Sequence, residues 1–262
     1  MAEPDGVYAL RYAYRTESVR GEHFYGHDPD CLAPWPIDYY IWAICRGDEV
    51  VLLDAGFTPD EARRRGSRPY LETPAGLVRR LGRSPAQVSA IVLSHLHYDH
   101  AGNLADFPDA TVILQRCEYD FWRSPMGSRG AYAHLCNPAD LTELADRQRR
   151  GLLRLVDGDW DLDGAVSGHH VGGHTPGTQV LRVAAERPVV LASDASHFYE
   201  NIDADRPYGV VHELAGMYAA FDRIAALAGP DGVVVPGHDP AVRARHPATP
   251  HHDGLVHPIS YL

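Results

Sequence analysis

The chain has 262 residues and a formal net charge of −11, from 24 basic and 35 acidic side chains. That length serves one large domain or two small ones, and the acidic balance argues against a nucleic-acid or anionic-membrane partner. With 45% hydrophobic and 23% charged residues the composition is that of a globular protein; apolar runs such as 39–45 are too short to span a bilayer, and the first residues lack the basic flank and apolar core of a signal peptide.

In chain order, Val7–Tyr14 alternates apolar and aromatic residues and predicts a strand. Residues 21–36 are rich in Gly and Pro and predict a long loop. With the strands that follow, this stretch is dense in aromatics: His23, Phe24, Tyr25, Trp35, Tyr39, Tyr40 and Trp42. They would line an apolar substrate pocket or fill the core, and the sequence leaves both open. Tyr39–Cys45 and Glu49–Leu53 predict two strands joined at Arg46-Gly47-Asp48. Thr73-Pro74 opens a helix that Gly82 would close. Ala90–Leu93 is a short buried strand, Thr111–Leu114 another, and Arg116–Trp122 a helix. Residues 57–72 and 123–150 read as polar excursions, either lids or plain surface loops. Leu152–Val156, Gln179–Ala184, Val189–Ala192 and Val233–Val235 predict strands, and Leu214–Ala228 a helix ending at Gly229-Pro230. This order implies an α/β protein with sheets covered by helices.

Cys31, Cys45, Cys117 and Cys136 form no C-x-x-C pair, and read as reduced thiols of a cytoplasmic protein. The outlying composition is histidine, at 16 residues. His95, His97, Asp99 and His100 form H-x-H-x-D-H directly after a strand. Alternate positions of an extended segment project to one side, so His95, His97 and Asp99 can converge while His100 reaches in from the next position. Imidazole and carboxylate donors suit Zn²⁺, and also Fe²⁺, Mn²⁺ or Co²⁺. Three further segments have the same character: Gly173-His174-Thr175-Pro176-Gly177, Ser193-Asp194-Ala195 after a strand, and Pro236-Gly237-His238-Asp239 after the last one. Five histidines and two aspartates exceed what one four-coordinate ion takes, and fit two adjacent ions with a bridging carboxylate.

On these motifs the chain resembles the metallo-β-lactamase-fold hydrolases, and within them the N-acyl-homoserine lactonase group. The resemblance implies an αββα sandwich spanning 1–262 as a single domain, with two divalent ions, zinc foremost, at one edge. It implies that His95, His97 and His174 hold one ion, that Asp99, His100 and His238 hold the other, and that Asp194 bridges. Leu53-Asp54-Ala55-Gly56 resembles the superfamily's early Asp-x-Gly turn, which gives Asp54 the task of orienting ligands. The implied activity is lactone opening by metal-bound hydroxide, with quorum quenching as the group's role and a small-molecule lactone or ester as the partner. A thioesterase of the glyoxalase II type and a mononuclear iron sulfur dioxygenase share the motif and are the alternatives. One position departs from the group: its Tyr three residues after the bridging Asp is here His197, with Tyr199 two further on. Either His197 or Tyr199 is expected to bond the substrate carbonyl in that Tyr's stead, or else the substrate differs from the group's, and Asp99 is expected to pass a proton to the leaving oxygen. His169 and His170 read as strand or loop residues, and His246, His251, His252 and His257 as part of a Pro-rich capping tail.

Overall fold

The computed structural model describes residues 2–262. Strand β1 (Gly6–Arg15) sends Val7 and Ala9 to one side and Tyr8, Leu10 and Tyr12 to the other, and both sides are buried. The same holds for β2 (Ile37–Arg46), where Tyr40, Trp42 and Ile44 oppose Tyr39, Ile41 and Ala43. A sheet covered on both faces needs no polar side, which is why these strands read as nearly unbroken apolar text.

The first sheet has seven strands in the order β12-β1-β2-β3-β4-β5-β6, with β3 (Glu49–Leu53), β4 (Val88–Val92), β5 (Thr111–Gln115), β6 (Leu153–Val156) and β12 (Val256–Tyr261). Its β3-to-β6 half is parallel, and the rest is antiparallel. The second sheet runs β11-β10-β9-β8-β7, from β7 (Trp160–Asp161), β8 (Val166–His170), β9 (Gln179–Val183), β10 (Val189–Ser193) and β11 (Val233–Pro236). The inner faces meet in one core, where Val7, Trp42 and Val92 pack with Trp160, Leu181 and Leu191. Outside the first sheet lie α1 (Pro59–Arg65), α2 (Pro74–Arg80), α3 (Arg116–Arg123) and α4 (Pro138–Arg150), of which α2 and α4 bury Leu77, Val78 and Leu144 in the outer core. Outside the second lies α6 (Leu214–Ala228), burying Ala220 and Ile224 against Val180 and Val190. The short helices α5 (Tyr199–Asp203) and α7 (Ala241–Arg245) follow β10 and β11. The αββα layering expected from the resemblance is the one observed.

Three segments differ from the sequence reading. Residues 57–72 contain α1, started by the Thr58 side chain accepting from the Glu61 amide. Residues 123–150 contain α4, capped by Asn137, opened by Pro138 and closed by Gly151 at φ 74°. Both helices are polar outside and short of apolar residues, so their periodicity is weak while their caps are strong. The C-terminal tail is no mere cap: it ends in β12, which pairs antiparallel with β1 and covers an edge that would otherwise be open. Among the described residues, no helix is long and apolar enough to cross a membrane.

Candidate metal centre

The candidate residues gather where strands end. Asp54 follows β3, the 95–100 cluster follows β4, Asp194 follows β10 and His238 follows β11, while His174 lies in the β8–β9 connection. The backbone bends sharply to deliver two of them. Asp54 and Ser193 have φ of 65° and 44°, a left-handed conformation that costs energy for residues with a Cβ and persists where neighbours enforce it. Asp54 is that enforcement: its carboxylate accepts from the Ser94 amide at 2.7 Å, from the Ser94 and Ser193 hydroxyls at 2.9 Å each, and from His100 Nδ1 at 2.8 Å.

The hydrogen bonds fix which histidine nitrogens are free. His100 Nδ1–H donates to Asp54, His174 Nδ1–H to the Val210 carbonyl at 2.8 Å, and His238 Nδ1–H to the Asp38 carbonyl at 2.9 Å. The Ser94 hydroxyl spends its hydrogen on Asp54, so its oxygen accepts from His95 Nδ1–H at 2.9 Å. Each of these rings therefore turns a bare Nε2 inward, the tautomer a metal ligand needs. His97 presents Nδ1, 3.0 Å from His174 Nε2.

Asp194 stands between the two groups. Its Oδ2 lies 3.7 Å from His95 Nε2 and 3.4 Å from His174 Nε2, and its Oδ1 lies 3.3 Å from His100 Nε2 and 3.0 Å from His238 Nε2. One oxygen thus faces each set. Ligand atoms of His95, His97, His174 and Asp194 lie within 4.8 Å of one another, as do those of Asp99, His100 and His238. His95 Nε2, His100 Nε2 and Asp194 Oδ1 are buried and make no hydrogen bond, although partners stand close. They stand close to one another without bonding, and a buried orphan of this kind is costly unless something fills the space between them. By donor chemistry and by these orphans, the residues fit two divalent ions.

Burial lowers the pKa of His95 and His97 well below the ordinary histidine range, and the neighbouring imidazoles add to the effect. Both are neutral at physiological pH, as ligation requires. For His100 and His238 burial acts in the same direction and is the largest single cause, but the surrounding carboxylates together outweigh it and raise them, Asp194, Asp54 and Asp99 at His100 and Asp194 and Asp99 at His238. Asp194 itself is held well below the carboxylate range: burial opposes its charge, and His197, His100 and His238 outweigh burial.

The seven residues proposed from sequence as ligands are all in this cluster, and Asp99 also lines the cavity beside it. His197 is there too, with Nε2 2.9 Å from Asp194 Oδ2. Tyr199 is not. Helix α5 begins at Tyr199, and its ring turns into a different cavity beneath Arg245, whose guanidinium carbon stands 3.5 Å from the ring centre. The expectation that Tyr199 reaches the substrate is corrected accordingly. The histidines set aside stay outside: His169 meets Asp159, His252 meets Glu3, and His257 bonds the His246 carbonyl. The N-terminal aromatics divide, with His23 and Tyr39 lining the cavity, Tyr40 and Trp42 in the core, and Phe24 and Trp35 packed on Phe198.

The cavity over the cluster is small, about 90 Å³. Besides the metal-site residues its wall includes Tyr208, Tyr98, Arg15 and Arg68, none of which the sequence singled out. Tyr98 lies within the H-x-H-x-D-H motif itself, whereas Tyr208, Arg15 and Arg68 come from loops and a strand end remote from the motifs, and no spacing rule links them to the histidines.

Residues 35–238 match the family model described as the Metallo-beta-lactamase superfamily. An N-acyl homoserine lactonase of a Bacillus species is 32% identical over 142 residues, 53% of this chain and 51% of that protein, so the match spans about half of that relative's length. An N-acyl homoserine lactonase of Agrobacterium fabrum is 30% identical over 190 residues, 70% of this chain and 71% of that protein. A solved quorum-quenching N-acyl homoserine lactone lactonase superposes with a TM-score of 0.75 at 20% identity, covering 95% of this chain and 98% of that one. A dizinc quorum-quenching lactonase superposes with a TM-score of 0.72 at 18% identity, covering 90% and 89%.

Proposed function

The chain belongs to the metallo-beta-lactamase superfamily, with its N-acyl homoserine lactonases among its relatives, and from that premise we propose that it is a metal-dependent hydrolase that opens a lactone ring. The observation that carries the reading is Asp194, which turns one carboxylate oxygen to each of two histidine sets. His95, His97 and His174 would hold one ion, Asp99, His100 and His238 the other, with Asp194 shared; the N/O donor set favours zinc. Ions held there would polarise the ester carbonyl and lower the pKa of a water from about 15.7 to about 7.

The remaining work falls to the chain's own side chains. Asp54 and the Val210 and Asp38 carbonyls hold the imidazoles in one tautomer, so the donors are set before substrate arrives. Tyr208 lines the cavity, and burial followed by the Asp194 charge raises its pKa, so its hydroxyl keeps its proton and donates to the carbonyl oxygen as negative charge grows there. Asp99 reaches the cavity and carries the proton to the departing ring oxygen. No serine or cysteine nucleophile is needed. The four unpaired cysteines support a reducing compartment such as the cytoplasm.

The test is acid release from a panel of γ- and δ-lactones, N-acyl homoserine lactones and acyl thioesters. Lactone opening should vanish on demetallation and return with added Zn²⁺. Full activity without metal, or thioesters turned over faster than every lactone, overturns the reading.

A further inference from the structure

Two arginines, Arg15 and Arg68, line the cavity wall, and of the two only Arg15 meets a carboxylate. Ala13 of β1 bridges antiparallel to Tyr70, and the Tyr14 amide donates to the Pro69 carbonyl. Continued by one step, that register sets Arg15 opposite Arg68, and both line the cavity over the metal centre. Like charges directly opposed across a strand pair are destabilising. Arg15 Nη2 is paired with Glu22 at 2.7 Å, but its Nε is buried and without a partner. Arg68 bonds only neutral groups: the Tyr98 hydroxyl at 3.1 Å and the carbonyls of Gly66 at 3.1 Å and Arg65 at 3.4 Å. Among the described residues no carboxylate approaches Arg68. The acids of the cavity wall, Asp99 and Asp194, face the histidine sets instead.

The loop is built to bring Arg68 there. Ser67, just before it, sits at φ 43°, and Gly66 at φ 62°. A left-handed serine is held against its own preference, which is the kind of strain that persists at binding sites. Tyr39 lines the same cavity, and its ring stands edge-on to His238 at 5.2 Å. Through the Tyr98 hydroxyl the guanidinium is held by a residue that stands between the candidate ligands His97 and Asp99 in the chain. Ile37, Leu135 and Val210 are the aliphatic side chains of the wall, too few for a long acyl chain to displace water from. Every basic residue in the chain is arginine, and the chain as a whole is acidic at −11. An anionic substrate is repelled by the whole and would need this local reversal of sign to enter.

We propose that Arg68, with Arg15 opposite, is an anion subsite, and that the substrate is a compact lactone bearing a carboxylate near its ring, not an uncharged acyl lactone. The proposal rests on the lactonase reading above and names the substrate class of that same site. A guanidinium engages a carboxylate through paired N–H donors, one on each oxygen, and remains charged at any physiological pH.

The test uses the zinc-loaded full chain, with 5-oxotetrahydrofuran-2-carboxylate against its uncharged carboxamide. The wild type should favour the carboxylate in kcat/KM by about tenfold to a hundredfold, the worth of one charge-assisted contact. Arg68→Gln should erase most of that ratio, and Arg68→Lys should restore part of it. Equal kcat/KM for the two lactones, or a ratio untouched by R68Q, overturns the subsite while leaving lactone hydrolysis standing. If neither lactone is opened, it is the lactonase reading that fails, and calorimetric binding decides the subsite separately. Glutarate should then bind the wild type at least about tenfold more tightly than butanoate, with R68Q removing the difference. Equal affinities would overturn it.

Discussion

Tyr208 lies flat on His197, ring centres 3.3 Å apart and planes 7° from parallel. The stack puts a phenol beside the histidine that stands where the resemblance leads one to expect tyrosine. His197 turns its Nε2 to Asp194, and under the proposed function the phenol would come from Tyr208, in a loop eleven residues on. Tyr208→Phe keeps the stack and removes the hydroxyl. It should lower kcat on the best lactone about a hundredfold with metal content unchanged, as loss of one oxyanion donor does. Steady-state kinetics on the zinc-loaded variant checks this. Undiminished kcat in Tyr208→Phe, with a large loss in His197→Gln, would transfer the role to His197.

Asp194→Asn keeps the size of the side chain and removes the charge shared by both histidine sets. The variant should hold fewer than two ions per chain by elemental analysis and lose lactone hydrolysis, and His97→Ala should do the same. Because ions bound only to the folded state stabilise it by mass action, chelation should lower the wild-type Tm and leave that of Asp194→Asn nearly unmoved. Two ions bound and full turnover in Asp194→Asn would contradict the shared-carboxylate arrangement.

The metal centre was the part most legible in the sequence. Its residues sit in tight motifs at strand ends, where a short apolar run followed by His or Asp in a bent turn leaves few readings. Asp54 was legible for the same reason. Tyr208, Arg15 and Arg68 were not, because what brings them together is a stack, a two-residue bridge and a left-handed turn, each set by tertiary packing. Tyr199 misled because sequence distance from Asp194 ignores that α5 starts at that residue and turns its ring away. Among elements, the helix 214–228 was read to the residue since its apolar face is continuous, whereas α1 and α4 announce themselves only through Thr58 and Asn137.

Gly237 lies between β11 and His238, and a Cβ there would stand 2.7 Å from Asp194 Oδ1 and 2.8 Å from the Ser193 carbonyl oxygen. Ser193 is backbone in a left-handed turn and does not yield, so the strain falls on Asp194, which is shared by both histidine sets. Gly237→Ala should therefore push the carboxylate off its position. Overpacking of this kind costs about 1–3 kcal/mol. The expected result is a lowered Tm together with weakened zinc retention during dialysis against a mild chelator. A variant with wild-type Tm and wild-type zinc retention would show that the backbone yields after all.

Asp140 supplies a pH-dependent test away from the metal centre. Burial, and then the nearby Glu61 and Glu143 charges, push its carboxyl up to about 7. Its Oδ2 is buried without a hydrogen bond. The folded state therefore holds a proton that the unfolded chain, titrating near 3.8, has already released. Between those two values stability falls as pH rises, and above about 7 the full cost is present. The start of α4 offsets part of it, since a carboxylate in a helix's first turn gains about 0.3–1 kcal/mol. Asp140→Asn removes the titration. It should stabilise the chain at pH 8 by about 2 kcal/mol more than at pH 5, a difference read directly from denaturant unfolding at the two pH values. A gain that is the same at both, or larger at pH 5, would mean that Asp140 is ionised in the folded protein throughout this range.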